Sequence, residues 1–156
     1  MNTTRQRSVQ VLLLASVLAA GLAMAAKAVI TTSANLVFGR FVAGTGGSVK
    51  VGINSLRTRT GSVILLPSAT SAAAFTLDSN GNGNKMAILT LPANGTVALV
   101  SGSNQMAVNN FVTNYASGGV LPSLGTTAYV GADLVVAPNQ APGNYAGSFH
   151  VTLEFQ

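Results

Sequence analysis

From Tyr145 to Phe155 the chain alternates strictly. Tyr145, Gly147, Phe149, Val151, Leu153 and Phe155 fall in one register, and Ala146, Ser148, His150, Thr152 and Glu154 in the other. Side chains alternate across a strand, so this stretch predicts a half-buried strand with its aromatic register turned to a core. Pro142-Gly143-Asn144 supplies the tight turn that starts it. A weaker alternation runs near the other end. Ala28, Ile30, Thr32, Ala34, Leu36 and Phe38 share one register, and Val29, Thr31, Ser33, Asn35 and Val37 the other. No glycine or proline interrupts it before Gly39, so it reads as an extended segment able to lend one apolar face to a groove.

Between these two segments the pattern is one of short apolar runs separated by turn residues. Strands are predicted at Leu36–Val42, Ser48–Ile53, Ser62–Leu66, Ala74–Leu77, Met86–Leu91, Thr96–Val100, Gln105–Val112 and Thr126–Val136, the last with a break at Gly131. Gly44-Thr45-Gly46-Gly47, Pro92-Ala93-Asn94-Gly95 and Ser117-Gly118-Gly119 punctuate them. About nine short strands with no helical periodicity predict an all-β fold, an immunoglobulin-like two-sheet β-sandwich. Strands of a membrane barrel run to about 9–11 residues between aromatic girdles. Here most strands are shorter and aromatics are only 6% of residues, which favours the sandwich.

The first stretch belongs to a different pattern. Arg5 and Arg7 precede a run from Val9 to Leu22 that is apolar or small apart from Gln10 and Ser16, and Ala23-Met24-Ala25 follows with small residues flanking a larger one. This is the layout of an export signal with a cleavage site, and the run is short of the about 20 residues of a permanent membrane span. The expected organisation is a signal peptide over 1–25, an N-terminal extension over 26–36 and a β-sandwich domain over 37–156. Export carries the chain out of the cytoplasm, with no permanent membrane span.

Removal of the signal changes the charge. Two of the eight basic residues leave with it, so six basic and three acidic residues remain, a net charge of +3 in place of +5. The six are scattered, with only Arg57-Thr58-Arg59 close together, so nothing tracks a phosphate backbone and nucleic acid is excluded as a partner. Charged residues are 7% of the chain and hydrophobic ones 48%. Ordinary globular chains carry about 25% charge, and so sparse a surface suits a protein packed against copies of itself. There is no cysteine, so stability comes from burial, hydrogen bonding or association.

Candidate chemistry is thin. After the signal, Asp78, Asp133 and Glu154 are the only carboxylates and His150 the only imidazole. His150 and Glu154 share the outward register of the last strand, and no Gly-x-Ser-x-Gly turn presents a nucleophile, so no enzyme activity is expected. Zinc needs three or four ligands of the Cys, His or carboxylate type, which the chain does not offer. Asp78-Ser79-Asn80-Gly81-Asn82-Gly83 matches the first half of a calcium loop, but Leu89 stands where its closing Glu belongs. A hairpin turn built on Asn-Gly explains the same residues, and no cofactor or metal is expected.

Several short motifs carry a resemblance. Leu36-Val37-Phe38-Gly39-Arg40-Phe41 with Gly46-Gly47-Ser48-Val49, Tyr129-Val130-Gly131-Ala132-Asp133-Leu134, and Gln140-Ala141-Pro142-Gly143-Asn144-Tyr145-Ala146-Gly147 resemble an uncharacterised family of small, exported, pilin-like bacterial surface proteins. The tail is remotely similar to subunits of chaperone–usher pili, which carry a penultimate aromatic and a glycine fourteenth from the end. Phe155 and Gly143 stand at those places here. The disulfide of many archaic-type pilins is missing.

The resemblance implies a structural subunit of a surface fibre (pilus or fimbria) that polymerises with copies of itself. A periplasmic chaperone and an outer-membrane usher are implied partners, and the extracellular surface the destination. In such assembly an incomplete sandwich exposes a groove, which the next subunit's N-terminal strand fills by β-strand addition. The donor residues here are Ala28, Ile30, Thr32, Ala34 and Leu36, and the groove edge is the C-terminal strand with Gly143, Tyr145, Phe149, Val151, Leu153 and Phe155. Burying Ile30, Leu36 and two or three smaller neighbours yields about 5–10 kcal/mol gross. The same alternation would also serve an ordinary first strand of the chain's own domain. The alternative function is a monomeric or tip-located surface adhesive module that binds carbohydrate or protein.

Overall fold

Twelve strands and no helix make up the described residues, 27–156, of the computed structural model. They are β1 (Val29–Ala34), β2 (Phe41–Val42), β3 (Gly47–Val51), β4 (Arg57–Gly61), β5 (Ile64–Leu65), β6 (Ala73–Asp78), β7 (Lys85–Thr90), β8 (Val97–Ser101), β9 (Asn104–Thr113), β10 (Val120–Leu121), β11 (Thr126–Val136) and β12 (Thr152–Phe155). The all-β expectation holds. The expected signal peptide, 1–25, lies outside the described residues, and among those described no helix is long and apolar enough to cross a membrane.

The long strand β11 is the spine. Its first half, Thr126 to Val130, pairs with β6, and its second half, Ala132 to Val136, pairs with β3. β9 lies along Val130 to Leu134 on the opposite edge, since both β6 and β3 overlap it there. β1 extends the sheet from β6, β4 from β3 and β8 from β9. The result is a curled seven-stranded antiparallel sheet, a half-barrel, with two small sheets facing its inner side: β10-β7-β12 and β2-β5.

Gly131 sits where β11 passes from one partner to the other. A Cβ there would run into the backbone of Val51, Gly52 and Ile53, so only glycine lets the two strand ends meet on one edge. The break predicted at this residue is this change of partner. Opposite it, β9 carries a bulge: Gly131 faces Val112 but Asp133 faces Asn109, one more residue on β9 than on β11. Asn110 takes the extra place at φ 52°. Met106 and Val108 point inward before it, and afterwards the phase flips so that Phe111 turns in and Val112 out.

Two apolar clusters follow from this division of β11. One gathers Val49, Val51, Val108, Leu134 and Val136 around the second half, and the other gathers Phe75, Leu77, Leu89, Leu121 and Val130 around the first. Leu36, Phe111 and Phe149 pack against both and join them. Burial raises the pKa of Tyr115, which packs on the second cluster and donates its hydroxyl hydrogen to Gly119 O at 2.9 Å.

The fold departs from the predicted strands in several places. The Leu36–Val42 run is not one strand, because Gly39 stands at φ 73° and leaves only a bridge from Val37 to Ser71 before β2. β4 has no counterpart among the predicted strands. As an edge strand it has four of its five residues exposed, so Arg57-Thr58-Arg59-Thr60-Gly61 shows no apolar alternation to read. The C-terminal run keeps its predicted facing, with Tyr145, Phe149, Val151, Leu153 and Phe155 half-buried and the alternate residues exposed. It divides, however, into a single bridge at Ala146 and the ladder of β12.

Arg57 does more than decorate a strand. Its Nη1 donates to Phe38 O (3.1 Å), Arg40 O (3.1 Å) and Ser68 Oγ (3.3 Å), and its Nη2 to Leu66 O (2.7 Å). One planar fork thus ties the segment around Gly39 to the segment after β5. A lysine offers a single ammonium in place of the fork. Arg57→Lys is expected to lower stability by about 2 kcal/mol, the worth of one or two charge-assisted bonds. Urea unfolding should show a lower midpoint at unchanged slope.

Candidate functional site

The half-barrel stays open along one side. There the segment from Thr32 to Gly39 faces the segment from Tyr145 to Phe149 across a groove of about 520 Å³. Its floor is apolar: Ala73 and Phe75 from β6, Val97 and Leu99 from β8, Val108 from β9. A second cleft, of about 770 Å³, continues between Arg40–Gly44 and Asn139–Tyr145. Leu99 and Tyr145 line both, so the two clefts are neighbours, a channel in two parts between an N-terminal wall and a C-terminal wall.

Each wall owes its place to hydrogen bonds on its far side. β1 is held on β6 from Val29↔Asp78 to Ala34↔Ala74, with a bulge at Ser33 whose Oγ lies 2.8 Å from Thr76 Oγ1. The C-terminal wall is pinned to β8 by the pair of bonds between Val100 and Ala146, 2.8 and 3.1 Å, and then to β7 through β12. Gly147 must be glycine for this approach, because a Cβ would strike Ala98 O and lie 3.1 Å from Leu99 Cδ2. Gly143 is less constrained, since its Cβ would meet the Ser101 hydroxyl, which can rotate aside, and lie 3.1 Å from Ser101 Cβ.

The inner edges of the two walls, by contrast, pair with nothing among the described residues. β1 approaches β12 without joining its ladder. A gap between two unpaired edges, over an apolar floor, presents main-chain donors and acceptors on both sides. Phe149 stands at its centre, edge-on to Phe75 (centroids 6.0 Å apart, 81°) and tilted against Phe111 (5.0 Å, 46°).

A family model for a domain of unknown function, DUF4402, matches residues 29–155. The chain belongs to the DUF4402 family. No curated protein and no solved structure matches it. The match to the DUF4402 domain opens on the first residue of β1 and closes on the last of β12, so both walls of the channel lie inside it.

The DUF4402 domain places the predicted residues unequally. Of the N-terminal set, Ala28 is buried, Ile30, Ala34 and Leu36 are half-buried and Thr32 is exposed. All five sit in or beside the ladder with β6 of the same chain. Thr32, Ala34 and Leu36 line the groove. Of the C-terminal set, Tyr145 and Phe149 line it, and Val151, Leu153 and Phe155 pack on the core below β12. The floor residues from β6, β8 and β9 carry no mark of their own in the sequence, where they read as ordinary inward positions.

The titratable residues are dispersed. His150 and Glu154 face solvent, and Asp133 sits mid-sheet, with Oδ2 accepting from Asn110 Nδ2 at 3.0 Å and Oδ1 4.0 Å from Lys50 Nζ. Among the described residues no three His, Asp or Glu side chains come close enough to hold a metal. In the β6–β7 loop Asp78 Oδ1 accepts the N–H of Asn80 at 2.6 Å, and Asn82 N–H donates to Ser79 O at 3.1 Å. With Asn80 at φ 52° and Gly81 at 75°, this is a tight Asn-Gly turn but not the predicted hairpin, because β6 and β7 lie in different sheets and do not pair with each other.

Proposed function

We propose that this DUF4402 domain is a structural subunit of a bacterial surface fibre, exported through the periplasm and joined to its neighbours by exchange of β1. The observation that carries the reading is the open channel between two unpaired strand edges, one of them the strand that would be exchanged. The fold in this reading is an immunoglobulin-like sandwich short of one strand. The Tyr145 hydroxyl, which donates to Ala141 O at 2.7 Å, supports it by its likeness to the tyrosine corner of such sandwiches.

Within one chain β1 occupies its own β6 edge. In the fibre the β1 of one subunit leaves that edge and takes the same register on β6 of the next, a head-to-tail swap that does not close on itself. The placement of the ends suits this. β11 runs about 33 Å from Thr126, which pairs with Leu77 near Val29, to Val136, near the far mouth of the channel. Because the exchanged ladder is the same in both states, its own energy largely cancels. The balance then rests on new contact between subunit ends, and a periplasmic chaperone that occupies the channel would hold the subunit ready for exchange.

Thr31 and Thr76 are directly opposed in the ladder and both exposed, and the native chain carries no cysteine. Opposed residues of an antiparallel pair have Cα atoms about 4.5–5.5 Å apart, within disulfide range. In a Thr31→Cys/Thr76→Cys double variant, material sheared from producing cells should run as a ladder of covalent multimers on a non-reducing denaturing gel and collapse to one band with reductant. A single monomer band without free thiols would place β1 permanently at home, and would favour the adhesive-module reading.

A further inference from the structure

The chain contains three Asn-Gly dipeptides: Asn80-Gly81, Asn82-Gly83 and Asn94-Gly95. In such a pair the backbone nitrogen of the glycine can attack Cγ of the asparagine side chain. A cyclic imide forms as the new N–C bond is made, and the side-chain nitrogen leaves as ammonia. Solvent water then opens the ring at either carbonyl, to aspartate or to isoaspartate. The reaction needs a side-chain amide free to turn toward the main chain and a glycine nitrogen free to attack. By sequence the three pairs are equivalent. The fold separates them.

At Asn94-Gly95 both reacting groups are held. Asn94 Nδ2 donates to Asn110 Oδ1 at 3.2 Å, and its Oδ1 accepts from Asn110 N at 2.7 Å. The Gly95 N–H, the would-be nucleophile, donates to Asn109 Oδ1 at 2.8 Å. At Asn82-Gly83 the leaving nitrogen is held, since Asn82 Nδ2 donates to Ser79 O at 2.7 Å and to Asn80 O at 3.1 Å. Asn80-Gly81 differs on every count. The Asn80 side-chain amide makes no hydrogen bond among the described residues, and the Gly81 N–H donates to none. Both residues are exposed at the tip of the β6–β7 turn, and no atom lies within 4 Å of where a Cβ on Gly81 would stand.

We infer that Asn80 is a site of spontaneous deamidation, and the first of the three to convert in the folded protein. The product places a new carboxylate two residues from that of Asp78, and its isoaspartyl form adds a carbon to the main chain of the turn.

The test is time-resolved peptide mapping by mass spectrometry of the folded chain held at mildly alkaline pH, with fragmentation that separates aspartate from isoaspartate. Asn80 should convert several-fold faster than Asn82 or Asn94, giving both products. In the same chain unfolded in urea, the three rates should converge, because the bonds that hold Asn82 and Asn94 are gone. Equal rates in the folded chain, or Asn82 or Asn94 converting ahead of Asn80, would overturn the inference. So would an Asn80 that stays intact while the unfolded chain converts.

Discussion

A Gly131→Ala chain is expected to lose about 3–5 kcal/mol of stability, and a Gly131→Val chain to fail to fold. The added Cβ meets Val51 O, Gly52 C at 2.9 Å and Ile53 N at 3.1 Å. All three are main-chain atoms and cannot rotate aside as a side chain could. Relief requires β3 to draw back from β11, which strips the ladder from Ala132↔Val51 onward and opens the cluster around Val49, Val51 and Leu134. Domains of this size are stable by only about 5–15 kcal/mol, so such a loss is a large share of the total. Gly95→Ala is the control. It has a positive φ of 80° but open space around it, so it should cost only about 1–2 kcal/mol of backbone strain. Urea unfolding followed by circular dichroism checks both. Equal losses at the two sites would mean that crowding against β3 is not what reserves position 131 for glycine.

The second large effect falls on Phe149. It touches both apolar clusters, packs against Phe75 and Phe111, and forms part of the channel wall. Truncation of a core phenylalanine costs about 3–5 kcal/mol, and partial exposure puts Phe149→Ala at about 3 kcal/mol. For a domain of this length that corresponds to a melting temperature lower by about 10 °C. Phe149→Leu should retain most of the stability, because it keeps an apolar wedge between the clusters. A thermal melt of Phe149→Ala within about 2 °C of the native chain would show that the two clusters stand independently. In the proposed fibre the segment that follows an exchanged β1 forms the wall opposite Phe149, so the same variant also weakens the multimer ladder at temperatures where the monomer remains folded.

Much of this architecture is legible in the order of residues alone. Val, Thr and aromatic runs at period two, cut by glycine and proline, require strands, and the turn at Asn80-Gly81 stands where that pattern puts it, whereas Pro142-Gly143 makes only a bend and the hydrogen-bonded turn before the C-terminal run closes earlier, from Gln140 N–H to Ala137 O. The facing of the C-terminal run is legible because one side of it is apolar and the other is not. Gly131 reads as a break because a glycine inside an apolar strand leaves a gap in its packing face. β4 is invisible for the opposite reason: an edge strand open to solvent is under no pressure to alternate. The bulge at Asn110 is also hidden, since an extra residue in β9 has meaning only against the register of β11.

The sequence alone determined the strand class, the inward register of the N- and C-terminal runs and the scarcity of charged chemistry, because each depends on near neighbours along the chain. Only the tertiary structure decided that β11 serves two partners, that Arg57 ties two crossing segments, and that the N- and C-terminal walls face each other over an apolar floor. Those relations join residues tens of positions apart. No local pattern records them, because the free energy that sets them comes from surfaces that meet only once the sheet has curled.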